Sequence, residues 1–343
     1  PSTHVARLVV MGVATMALLG SAVGLFAGLA SERYLTSLLF EVSASDPASL
    51  LQPVVIVLAV VTVACAGPVV RALRTDITAT TAVTRTVLGA LGYQTKVDLL
   101  SVPVTYASLS RGDIDVFLGN WMPTMAADVE PFLKDGTVDS IRVNLTGAKY
   151  TLAASNSLAE QGLTDFSRIA EFGDALGHKI YGIEPGNDGN RLILTMIEEN
   201  KFGLGDFQLV ESSEQGMLAQ AARAERQGTG IVFLGWEPHP MNAMVKMTYL
   251  TGGDDVFGPD FGGAEVLTNT RAGYVTECPN VGALLNNLVF SLPMENEIMG
   301  AILNDGEDPN DAAAAWLKAH PETVDPWLVG VTTRDGGDAV AAV

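Results

Sequence analysis

Two segments, Ile114–Pro123 (IDVFLGNWMP) and Gly230–Pro238 (GIVFLGWEP), follow one local plan. In each, a short apolar run reads as a buried strand, a glycine interrupts it, and a tryptophan stands two residues before a proline. We expect the first strand to end at Leu118, leaving Gly119–Thr124 as a loop that carries Trp121. Ligands of open α/β sheets gather at the carboxyl ends of strands, so both indoles sit where a ligand is held. A lone tryptophan at such a point more often plugs a gap over the core. Two at equivalent points favour a binding role.

The sequence around these segments alternates helix and strand. TDITATTAVTRTVLGALGY (75–93) reads as a helix with Asp76 as N-cap, apolar positions at Val83, Val87, Leu88 and Leu91, and Gly92 as its stop. TKVDLLSV (95–102) alternates as a half-buried strand, PVTYASLSRGD reads as a short helix, and KIYGIEPG as a strand entering a glycine-rich loop. SSEQGMLAQAARAERQ opens on a capping box from Ser212 to Gln215 and runs as a helix into the second tryptophan strand. This alternation implies an α/β fold around a mostly parallel sheet.

The N-terminal part is different in kind. Residues 8–30 and 50–70 are uncharged apolar runs, each longer than the roughly 20 residues needed to cross a bilayer as a helix. The first also fits a signal peptide with Arg7 in its n-region, but a signal peptide leaves the second unexplained. Arg71 and Arg74 follow the second span and, by the positive-inside rule, lie in the cytoplasm. Residues 1–74 hold four of the 20 basic and three of the 39 acidic residues, leaving 16 and 36 beyond. So acidic a remainder repels phosphate backbones, which argues against a nucleic-acid partner and favours a cationic or zwitterionic small ligand.

Enzyme signatures are missing: there is no G-x-S-x-G, no H-E-x-x-H, and no lysine to complete a phosphate loop in GIEPGNDGNR. The four histidines, at 4, 178, 239 and 320, show no metal-ligand spacing. NDGEDPNDA lacks the closing glutamate of a calcium loop and reads as a helix cap. No cofactor or metal is implied, and we expect a binding protein rather than an enzyme.

DVFLGNWMPT, AKYTLA, YGIEPGNDGNR, SSEQGMLAQ, VFLGWEPHPMN and FSLPMENEIMG occur in this order between Asp115 and Gly300. From about Thr75 onward the chain thereby resembles the choline-binding proteins, the substrate-binding components of choline and glycine-betaine ABC importers. The resemblance implies a type II periplasmic-binding-protein fold, two α/β lobes joined at a hinge. Lobe 1 is expected at 75–147 and 240–330, lobe 2 at 148–239, and a C-terminal tail at 331–343. It also implies an aromatic box for a quaternary ammonium group, walled by Trp121, Trp236 and Tyr150, with Asp76 and Asn187 meeting the polar end. Taken alone, Tyr150 reads as a core strand residue and Asn187 as a turn residue. An ABC permease is the implied partner, with choline or betaine as ligand.

Residues 5–76 resemble instead the last two transmembrane helices of FtsX/MacB-like permeases. The first core strand of the binding family is thereby replaced, and Arg74 stands where the resemblance implies a further box tryptophan. A cysteine that pairs with the counterpart of Cys278 is lost as well; Cys65 lies near its place, within the second span. Two functional readings follow: a membrane-tethered binding component, or a permease fragment carrying a sensory or non-functional binding domain. The family implies a periplasmic binding domain, and the arginines a cytoplasmic one in which Cys278 stays a thiol.

Overall fold

The helix expected after Asp76 is present as α1 (Ile77–Ala90) in the computed structural model, which describes residues 77–343. Its buried residues recur at helical spacing, with Val83 and Val87 wholly covered and Leu91 just beyond the end also buried. Gly92, at φ +89°, turns the chain away. The two apolar spans, the permease resemblance over 5–76, Cys65, Arg71, Arg74 and Asp76 lie outside the described residues. Among the described residues, no helix is long and apolar enough to cross a membrane. Cys278 is a half-buried thiol.

Further elements follow: α2 (Val102–Arg111), β1 (Val116–Met122), α3 (Ala126–Lys134), β2 (Val138–Ser155), β3 (Lys179–Tyr181) and α4 (Asp188–Glu198). Then come β4 (Gln208–Val210), α5 (Glu214–Gln227), β5 (Val232–Glu237), β6 (Met247–Tyr249), β7 (Gly263–Arg271), α6 (Pro279–Asn287), α7 (Leu292–Leu303) and α8 (Pro309–Ala319). The cap of α5 is Ser213, whose hydroxyl accepts from Gly216 N at 3.1 Å, one residue later than the expected box. NDGEDPNDA is a helix cap, with Asp308 accepting from Asn310 N at the start of α8.

The strands lie in the order β1-β7-β2-β5-β3-β4, with β6 also on β2. β2 is the organiser. Val138–Lys149 pairs with β7, and Lys149–Ser155 pairs with β5 and β6, so one strand of 18 residues serves both halves of the sheet. Returning strands on either side of it make four of the six described pairings antiparallel, leaving only β3 with β4 and β3 with β5 parallel. The mostly parallel sheet expected from the helix–strand alternation is thus corrected. Alternation reports local structure, whereas β5 and β7 reach β2 through connections whose direction the sequence pattern does not encode.

Two further expectations change. Thr95–Leu100 is not a strand: it forms no ladder, and Val97, Leu99 and Leu100 are exposed. An extended segment becomes a strand only beside a partner, and β1 has β7 on one side and no described strand on the other. Gly119–Met122, expected as a loop, belongs to β1, where Trp121 stands opposite Val266 after a register shift between Phe117 and Asn120.

Candidate binding site

Both tryptophans are therefore strand residues, and β2 brings them together. Tyr150 on β2 lies directly across from Trp236 on β5, a cross-strand pair in which side chains share one face. The Tyr150 ring centroid is 6.1 Å from that of Trp236 and 6.0 Å from that of Trp121, at interplanar angles of 73° and 59°. All three side chains are buried, with 4–7% exposure. The recurring tryptophan-x-proline plan thus delivers two indoles to one tyrosine, and in both copies the peptide bond before the proline is cis.

Asn187 joins the same cluster. Its Oδ1 accepts from the Tyr150 hydroxyl at 2.8 Å and caps α4 by accepting from Gly189 N at 2.8 Å and Asn190 N at 3.3 Å. Its Nδ2 donates to Asp188 Oδ1 at 3.1 Å. The expected polar contact and the expected turn residue are one side chain: capping α4 fixes its orientation, and that orientation fixes Tyr150. Gly189 makes the fit possible, since a Cβ there would land on the Tyr150 hydroxyl. Gly262, at φ +74°, is a second close approach, where a Cβ would meet the Tyr150 carbonyl oxygen. Of the five expected site residues, Trp121, Trp236 and Asn187 assemble around a fourth, Tyr150, and Asp76 lies outside the described residues.

Three features were not read from the sequence. Phe257, fully buried, sets its ring edge-on to Tyr150 at 6.2 Å and backs the cluster. His239, three residues beyond Trp236, places its ring 5.0 Å from the indole. Met241 N donates to His239 Nδ1 at 3.0 Å, so the ring proton belongs on Nε2, which donates to Glu214 Oε1 at 3.1 Å. Burial, reinforced by the neighbouring Glu184 carboxylate, raises the Glu214 carboxyl well above the usual carboxylate range. Burial raises Glu184 as well. Trp236 is thus propped by a buried polar network, while its own Nε1 has no hydrogen-bond partner among the described residues. The remaining feature is Asp188, only 1% exposed beside Asn187. Local patterning marks a tryptophan or a glycine pair, but a histidine meeting a glutamate 25 positions away leaves no periodic trace.

A cluster of aromatic faces with few unengaged hydrogen-bonding groups suits a cation that has no N–H to donate. Among the described residues no group of three or more His, Cys, Asp or Glu is arranged to hold a metal.

Residues 72–319 match the OpuAC family model, the substrate binding domain of ABC-type glycine betaine transport system. A solved ABC-transporter choline binding protein in complex with choline is 67% identical, with a TM-score of 0.77 over 78% of this chain and 93% of that one. An ABC-transporter choline binding protein in an unliganded semi-closed conformation, also 67% identical over the same shares, gives 0.73. The glycine betaine/carnitine transport binding protein GbuC of Listeria monocytogenes is 27% identical over 189 residues, 55% of this chain and 60% of that protein.

Proposed function

Because this chain belongs to the substrate binding domain family of ABC-type glycine betaine transport systems, we propose that it captures choline or a closely related quaternary ammonium compound for an ABC permease. The observation that carries this reading is the contact of both Trp121 and Trp236 with Tyr150. A trimethylammonium group spreads its charge over methyl groups and forms no hydrogen bonds, so aromatic faces are its natural partners. Each well-placed ring contributes about 0.5–2 kcal/mol once water is excluded. Asn187 orients Tyr150 and keeps an amide hydrogen for the ligand's polar end; Asp76 supplies the counter-charge by resemblance.

The fold is the two-lobe α/β fold of periplasmic binding proteins. We place the ligand between lobes that meet at β2, and we move the lobe boundary expected at 239/240. β6 pairs with Ala153–Ser155 and Thr251 bridges to Asp165, which supports a second lobe of about 148–257 and a return crossing through Gly258–Gly263. Capture for import requires this domain on the outer side of the membrane. The aromatic contact supports a working site over the reading of a permease fragment with a non-functional domain.

Choline and ethanolamine separate this reading from a general amine site. Ethanolamine presents three N–H donors that aromatic faces leave without acceptors, so calorimetry should show choline binding at least about a hundredfold more tightly, on the order of 3 kcal/mol. Equal affinities would remove the aromatic box as the basis of recognition.

A further inference from the structure

The first turns of α4 reach from the lobe that holds β3, β4 and β5 to the segment after β1. Arg191 Nη2 donates to Asp128 Oδ2 on α3 at 2.7 Å and to the Thr124 carbonyl oxygen at 3.1 Å. Asp188 is 1% exposed, and although its Oδ1 accepts from Asn187, its Oδ2 has no hydrogen-bond partner, because the nearby Thr124 hydroxyl donates to the Trp121 carbonyl oxygen at 3.3 Å. The charged and titratable groups facing it are Arg191 on its own helix, Asp128 on α3 and Tyr106 on α2. Arg191 is committed to Asp128, and the Tyr106 hydroxyl donates to Asn120 Oδ1 at 2.9 Å. A carboxylate with one oxygen buried and unpaired is costly to keep charged.

We propose that Asp188 and Arg191 are positioning residues that set ligand affinity without touching the ligand. Arg191 latches the two lobes together, and Asp188 takes up a proton as the lobes close over it. The inference rests on the binding function proposed above, and it adds a coupling between closure and pH.

The sign follows from the two environments of Asp188. With Arg191 seated on Asp128, burial pushes the Asp188 pKa up to about 6; the nearby Thr124 hydroxyl, its own backbone N–H and Arg191 act against this, and the Asp128 charge adds to it. In an open arrangement the carboxyl returns to water and to the ordinary aspartate value near 3.9. The closed form therefore binds more protons between those two values. Acidification from pH 7.5 to pH 5 then favours closure, and with it capture, by about tenfold, and the gain levels off once both forms are protonated. Protonation of a ligand-facing carboxylate would act in the opposite direction. Tightening on acidification is thus specific to the closure mechanism.

Choline titrations of the full chain in detergent, at pH 7.5 and pH 5, should show this tenfold gain in the unmodified protein and none in Asp188→Asn, whose amide is neutral throughout. Arg191→Gln should weaken binding at both pH values, and Arg191→Lys should restore part of the loss. Spin labels at positions 134 and 225, with Cys65 and Cys278 changed to serine, read lobe separation without ligand. The short-distance population should rise at pH 5 in the unmodified background and not with Asp188→Asn. A pH response that is the same in Asp188→Asn, or a lobe separation indifferent to pH, overturns the proposal. If lobe separation responds as expected but choline does not bind, the coupling stands and the choline reading falls.

Discussion

Replacing Trp121 or Trp236 by leucine is expected to weaken choline binding at least tenfold, and replacing both more than a hundredfold. Leucine keeps an apolar side chain at each buried position but removes the ring whose face attracts the cation. Loss of one wall costs about 1.4 kcal/mol or more, within the range of a single desolvated cation–π contact. Both positions are buried, so each variant will also lose stability, by about 1–3 kcal/mol through imperfect repacking. Calorimetric titration well below the melting temperature separates the two effects. Unchanged affinity in both single variants would mean that the indoles only fill the core.

Gly189→Ala is expected to separate stability from binding in the opposite sense. The residue lies in the first turn of α4, where alanine is the better helix former by about 1 kcal/mol. Its Cβ, however, would land on the Tyr150 hydroxyl and crowd the Leu234 Cδ1 at 3.0 Å. Tyr150 must then leave Asn187, breaking the 2.8 Å hydrogen bond that sets its angle between the two indoles. We expect a melting temperature within a few degrees of the unmodified protein and affinity reduced at least about tenfold, equivalent to 1.4 kcal/mol. If choline affinity were unaltered, the tyrosine would be no wall of the site.

How far these features were legible in the sequence depends on whether their cause is local. Val83, Val87 and Leu88 announce the buried face of α1 because a helix repeats over neighbouring residues. The paired tryptophan segments likewise point to the two indoles that the fold brings to Tyr150, and the ordered motifs to the fold. What failed was anything decided by a distant partner. Thr95–Leu100 has the alternation of a strand, but no described strand pairs with it. Trp121 looked like a loop residue because a glycine precedes it, yet pairing with β7 carries the strand on to Met122. Asp188 follows an asparagine in a glycine-rich turn, and only the packing of α4 against Thr124 and Asp128 shows that it is buried. The preference for a small cationic ligand came from charge and aromatic placement; the hydrogen-bond network that holds Tyr150 in place did not.

Whether the aromatic cluster recognises positive charge rather than shape is tested most directly by the neutral carbon isostere of choline, 3,3-dimethylbutan-1-ol. The two molecules share size, branching and hydroxyl, and differ only in nitrogen against carbon at the centre of the branched head. Three rings contributing about 1 kcal/mol each predict that choline binds on the order of a hundredfold more tightly in side-by-side calorimetry. Comparable affinities for the charged and neutral molecules would contradict the account, because burial of an apolar head would then explain all the binding there is.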